Sequence, residues 1–182
     1  MKKTIFLLLG TVLLLTGCKN QKDPATKERE KAQKAIEQQN LYLAAAQALN
    51  TRNFVFEAER LSYRNNKPEL VNPGANFISL SGEQANVQIF PHTLIMGSSA
   101  IRDINVKGDA SNIETTNDAK GNMTFKTYVK GQYIEATITI NLSKGGNRAT
   151  AVISPNFDGK TITLYGNVYE FKTTKEYKEV TK

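Results

Sequence analysis

Between residues 123 and 171 apolar and polar side chains alternate with a period of two, and this constrains the fold more than any other feature of the chain. Ile134, Ala136, Ile138, Ile140 and Leu142 share one face of an extended segment, while Glu135, Thr137, Thr139 and Asn141 share the other. Met123, Phe125 and Val129 repeat the pattern before it, and Ala149, Ala151 and Ile153 repeat it after. Successive side chains of a strand point to opposite faces, so each stretch reads as a strand with one buried side. The turns that bound these strands are "DAKGN", "KG", "GGN" and "FDG". A parallel pairing needs a crossover of about a dozen residues or more, so connections this short force neighbouring strands to run antiparallel.

Upstream the same reading extends to the rest of the domain. "DINVKGDASNIETTN" is a further strand, and "NFISLSGEQANVQIF" is a hairpin with Ala85, Val87 and Ile89 facing inward. "FVFEAERLSY" sets Phe54, Phe56 and Ala58 against Glu57 and Glu59, and "YRNNKPELVNPGAN" carries the Asn, Pro and Gly signals of a turn. "PHTLIMGSSAIRD", residues 91–103, reads as a loop or a flap over one end. Residues 19–40 are polar with good helix formers after Pro24, and "LYLAAAQAL" then turns apolar. This predicts a charged helical tether whose last turns dock on the domain through Ala32, Ile36, Leu43 and Ala46. The fold expected is mainly β (α+β): an N-terminal helix, then an antiparallel meander of about eight strands closing as a barrel or a two-layer sandwich.

The chain begins with Lys2 and Lys3, followed by an apolar run from Ile5 to Leu15 broken only by Gly10 and Thr11. A membrane-crossing helix needs about 20 apolar residues, so this shorter run has the layout of a cleaved secretory signal. Leu15, Thr16 and Gly17 lead directly into Cys18, the chain's single cysteine. The tetrapeptide resembles the lipobox of bacterial lipoproteins. That resemblance implies lipid on the Cys18 sulfur, cleavage before it and acylation of the new amino terminus. Several acyl chains on one residue anchor stably where one does not. The division expected is a signal peptide at 1–17, lipidated Cys18 with its tether at 18–50, and a β-rich domain at 51–182 with a polar tail. A lipidated Cys18 leaves no thiol for disulfide, nucleophile or metal chemistry.

Removing residues 1–17 leaves 22 basic against 17 acidic residues, a formal balance of +5. Such a surface suits acidic envelope glycans or lipid headgroups. The basic residues are spread along the chain, so no nucleic-acid partner is expected. His92 is the sole histidine, which excludes a multi-histidine metal centre, and no nucleophile elbow accompanies it for a Ser-His-Asp arrangement. No phosphate loop, dinucleotide fingerprint or EF-hand pattern occurs, so no cofactor is expected. Glycoside hydrolysis needs only two carboxylates, for which Glu57 with Glu59, or Asp103 with Asp109, are weak candidates. Asp109, Asp118 and Asp158 lack the clustered spacing of a calcium site, and no metal is expected. Tyr128, Tyr133, Tyr165, Tyr169 and Phe171 fall opposite the aliphatic stripes or at strand ends. They are either a contact patch for a glycan or protein or core covered by a second layer, because alternation does not say which face is wet.

The strings "NFISLSGEQANVQI", "KGN", "ATITINLSKGGNRATAVISPNF" and "GKTITLYGNV" resemble a lipoprotein family of Gram-negative Bacteroidetes, domain-of-unknown-function family 4251, over about residues 50–171. The resemblance implies a β-rich envelope domain behind a lipidated tether and brings no assigned activity and no functional residues. "FPHTLIMGSSAI" departs from the glycine-rich, more polar loop that the family would have there. The functional expectation is a lipid-anchored outer-membrane module, facing the periplasm or the surface, that binds an envelope or external ligand. A carboxylate-dependent hydrolase acting on glycans and a carrier of a small apolar ligand are the alternatives.

Overall fold

A computed structural model describes residues 23–63, 67–90, 104–132, 135–156 and 161–172. The helix α1 (Pro24–Asn50) opens with proline at its first position, where no intrahelical N–H is needed. Among the described residues nine strands follow: β1 (Asn53–Tyr63), β2 (Glu69–Leu70), β3 (Phe77–Ser81), β4 (Gln84–Ile89), β5 (Ile104–Asn117), β6 (Met123–Gly131), β7 (Glu135–Leu142), β8 (Arg148–Pro155) and β9 (Ile162–Glu170). Every pairing is antiparallel. From β3 to β9 each strand pairs with the next, and β9 returns to pair with β1 from Phe54 to Tyr63. Eight strands therefore close on themselves as a barrel, which decides between the barrel and the sandwich. The two-residue β2 takes over from β3 along the same edge of β1, within the stretch whose sequence reads only as a turn.

The inward stripes are those the alternation identifies. Ala136, Ile138, Ile140 and Leu142 are all buried, as are Met123, Phe125 and Val129, and Ala85, Val87 and Ile89. Phe54 and Phe125 meet edge to face across the interior with ring centroids 5.1 Å apart. The β3–β4 hairpin turns at Gly82, whose φ of +63° is the left-handed backbone that glycine reaches without steric cost.

The helix seals one end of this barrel. Leu49 is fully buried, with Ala45, Ala46 and Ala48 beside it, and the Tyr42 hydroxyl donates to the Gly121 carbonyl at 2.7 Å. Burying a leucine side chain is worth about 1.5–3 kcal/mol, so this last turn is a real part of the core. The docking stripe expected from Ala32, Ile36 and Leu43 is not the one used, since all three are exposed, Ile36 by 56% and Leu43 by 54%. The buried or half-buried contact positions, Tyr42, Ala45, Ala46, Ala48 and Leu49, lie in the final two turns, and one turn earlier the Gln38 side-chain oxygen lies beside Gly146 in the β7–β8 turn. Residues 24–41 are exposed throughout, a rod of about 27 Å at 1.5 Å per residue. No described helix is long and apolar enough to cross a membrane.

Among the described residues two buried apolar side chains break the inside–outside rule, beside the buried polar Ser62, Ser79 and Gln88. Val55 and Phe77 point away from the interior yet are each only 1% exposed, so part of the outer wall on β1 and β3 is covered.

Candidate functional site

A β-bulge in β1 builds the site. Along β1, Glu57 pairs with Asn167 and Ala58 with Gly166, but the next pair is Arg60 with Tyr165, so Glu59 is the extra residue. Ala58 and Leu61 both belong to the interior cluster. The two residues between them, Glu59 and Arg60, therefore both lie on the outer wall, where regular alternation would have sent one inward. Gly166 permits this. A Cβ built there would stand 1.9 Å from the Glu57 carbonyl oxygen, so only a residue without one lets the bulged strand approach this closely.

The result is a groove of about 140 Å³ lined by Glu59, Arg60, Ser143, Arg148, Thr150 and Tyr165 over the backbone of Ala149 and Gly166. Register places these side chains in two rows. Arg60 lies directly opposite Tyr165, which in turn pairs with Thr150. Its guanidinium carbon stands 5.5 Å from the ring centroid, a cation–π contact. In the next row Asn167 pairs with Arg148, and the Asn167 side-chain amide donates to Glu59 Oε1 at 2.8 Å. Arg148 reaches Glu59 Oε2 at 3.6 Å. The side chains of that ion pair are 74% and 42% exposed, which puts it among surface pairs worth about 0–1 kcal/mol. Two guanidinium groups face one carboxylate, so the groove carries a net positive charge.

A second polar cluster lies farther round the wall. The Tyr128 hydroxyl donates to Glu135 Oε2 at 2.5 Å, Lys130 stands 3.4 Å from Glu135 Oε1, and the Asn156 amide donates to Tyr128 at 3.4 Å. The bond from Tyr128, then that from Lys130, holds the Glu135 carboxyl below the usual carboxylate range. The same bond to Glu135 raises the Tyr128 hydroxyl above the usual phenol value. Both groups satisfy each other, and the cluster ties β6 to β7 and β8.

The aromatic residues singled out in the sequence do not form one patch. Tyr165 lines the groove and Tyr128 belongs to the second cluster. Tyr128 aligns through Thr137 with Ser154, whereas Tyr165 aligns with Thr150. That separates the two tyrosines by three strand spacings across, about 14 Å, and four residues along, about 13 Å. Tyr169 is exposed on β9 nearer the helix, opposite Val55, and Phe171 follows the strand with its N–H donating to the Asn53 carbonyl at 3.1 Å. Tyr133 lies outside the described residues, as do Cys18, the segment 1–17, His92, the rest of 91–103, Asp158 and the tail from 173.

Of the carboxylates, Glu59 lines the groove and Glu57 does not. Asp109 accepts from the Gln84 amide at 2.7 Å. Asp118 accepts from the Asn122 side chain and from the backbone N–H groups of Lys120 and Asn122, which hold its carboxyl below the usual range, the Asn122 side chain most of all. Its oxygens thus close a turn. Among the described residues no three His, Cys, Asp or Glu side chains are grouped to hold a metal ion. Arg60, Arg148, Thr150 and Asn167 were not apparent as site residues from sequence. The available signal was Gly166, an isolated glycine inside the alternating strand "ITLYGNVYE", which marks a bulge in the partner strand.

A closed antiparallel barrel, stoppered by one helix and notched on its outer wall by a bulge, defines the class as a small helix-capped β-barrel domain. Comparison with known proteins narrows this. The family described as Domain of unknown function (DUF4251) matches residues 36–168, and the chain belongs to that family. The matched span contains every residue of the groove. Among solved structures the chain is similar to a DUF4251 family protein from Bacteroides eggerthii DSM 20697, at 32% identity and a TM-score of 0.67. That likeness covers 77% of this chain and 91% of the other. No curated protein matches.

Proposed function

We propose that this protein is a lipid-anchored module of the bacterial outer membrane that binds an envelope or external glycan through the groove on its barrel wall. The observation that carries the reading is the bulge at Glu59 and Arg60, which gathers an aromatic ring, two guanidinium groups and a carboxylate around a groove of about 140 Å³. Bulges re-aim side chains and concentrate near functional sites. A groove of this volume is well below that of a drug-sized pocket and accommodates a single ring. Its lining mixes the hydroxyls of Thr150 and Ser143, the Glu59 carboxylate and the Tyr165 ring, which together suit a sugar's hydroxyls and its apolar edges.

Anchoring rests on Cys18 and the residues before it, and the exposed first turns of α1 supply a spacer between membrane and barrel. The hydrolase reading is weaker, because the common route needs two carboxyl groups in one cleft and the groove is lined by Glu59 alone.

The test is native affinity electrophoresis through gels containing polysaccharide extracted from the producing cell's envelope. Retardation of the wild-type protein and its loss in Tyr165→Ala are expected. No retardation by any fraction, or equal retardation of a folded Tyr165→Ala protein, overturns the proposal.

A further inference from the structure

Resting on the glycan reading above, we infer that the groove is specific for an acidic saccharide, whose sugar carboxylate is held between Arg60 and Arg148. The Arg60 guanidinium carbon stands 5.5 Å from the Tyr165 ring centroid, and this cation–π contact engages the group's charge without spending its N–H donors. A guanidinium fixed in this way presents a fork that matches a carboxylate bidentately, at little further cost in side-chain freedom. Among the described residues the ion pair that holds Arg148 is its long, exposed contact to Glu59, so it can turn to a ligand anion without giving up a strong bond. Glu59 keeps its place when Arg148 turns, because Asn167 holds the other carboxylate oxygen at 2.8 Å.

The sign of the site follows from the count. One carboxylate among two guanidinium groups leaves one positive charge for a ligand to answer, and a neutral sugar would leave it unanswered. A sugar acid also brings hydroxyls, and Glu59, Thr150 and Ser143 stand in the groove to receive them. A bare inorganic anion would use the arginines and none of these. The mildly basic surface of the chain assists the encounter and does not define it.

The experiment is isothermal titration calorimetry at low salt with the protein as purified from the cells that make it. The probes are tetragalacturonate and the same tetramer with its carboxyl groups reduced to alcohols, which preserves the ring and removes the charge. The acid form is expected to bind at least about tenfold more tightly than the reduced form. Arg60→Gln and Arg148→Gln should each weaken the acid form by about tenfold or more and weaken the reduced form by much less, so that the preference for the acid form collapses. Arg60→Lys should recover only part of the loss, since an ammonium keeps the charge without the fork. Equal binding of the two tetramers, no binding of tetragalacturonate, or unchanged affinity in arginine variants that melt with the wild type overturns the inference. If the reduced tetramer binds as well as the acid and Tyr165→Ala abolishes both, the glycan reading stands and the carboxylate assignment alone falls.

Discussion

Replacing Gly166 with alanine should both destabilise the barrel and disturb the groove. The added Cβ would lie 1.9 Å from the Glu57 carbonyl oxygen, 2.8 Å from the Glu57 carbonyl carbon and 2.9 Å from Ala58 Cα. All three are backbone atoms, so no side chain can swing aside. Ordinary contact begins at 3.4 Å, and the difference from 1.9 Å means that β1 and β9 must part locally by about 1.5 Å. Overpacking of a tight site costs about 1–3 kcal/mol, and each ladder hydrogen bond weakened by the separation adds up to about 1 kcal/mol. The expected total is about 3 kcal/mol, or a fall in Tm of about 6–12 °C at about 2–4 °C per kcal/mol for a domain of this size. Urea unfolding followed by circular dichroism measures it. Gly82→Ala is the control: unlike Gly166, Gly82 sits at positive φ, but nothing lies within 4 Å of its added Cβ, so its cost should stay near about 1–2 kcal/mol. A Gly166→Ala protein within about 0.5 kcal/mol of wild type, or less affected than Gly82→Ala, would show that the strands do not approach as described.

Cys18→Ser should move the protein from the membrane pellet to the soluble fraction and abolish incorporation of labelled palmitate; an unchanged pellet fraction removes the anchor from the proposal. Tyr128→Phe should raise the Glu135 carboxyl back toward 4.5, read by carboxyl-carbon NMR, and an unaltered Glu135 titration would refute the hydrogen bond as its cause. The sign for stability follows. The lowered Glu135 carboxyl contributes above the unfolded value of about 4.5 and is lost as pH falls through the folded value, so the variant should lose less stability in acid than the wild type. The raised Tyr128 hydroxyl acts on the alkaline side, contributing below 10.0 and lost as pH rises through its folded value, and the variant should lack that step.

The strands were legible because alternation with short turns admits few solutions, and β6 to β9 follow it closely. Closure was not, because it depends on β1 meeting β9 across more than a hundred residues, a contact that no local pattern encodes. The docking face of α1 was misread for a related reason. Spacing identified Ile36 and Leu43 as sharing a face with Ala46, but how many turns reach the barrel is decided by the barrel. Outward Val55 and Phe77 show the same gap, since period two separates faces and does not state which is covered. Tyr128, Tyr165 and Tyr169 lie on the strand face opposite the aliphatic stripe, yet Tyr128 and Tyr165 sit far apart round the curve, a separation visible only once the register is known.

The groove escaped sequence reading because it depends on an exception to alternation. In a small closed barrel the inward side chains fill the core, so side chains that make an external site must come from the outer wall. A regular strand offers that wall every second residue, with neighbours along the strand nearly 7 Å apart. The bulge places Glu59 and Arg60 next to each other on one side, so a carboxylate and a guanidinium reach the same groove. The residue that allows this, Gly166, carries no side chain of its own and points into the interior. Stability and the proposed recognition therefore meet at one position: a substitution there that separates β1 from β9 must also pull Arg60 away from Tyr165. Substitutions at Arg60 or Arg148 act on exposed ends and should leave the barrel intact. Loss of ligand without loss of fold is thus expected only from the rim of the groove, and loss of both together from its floor.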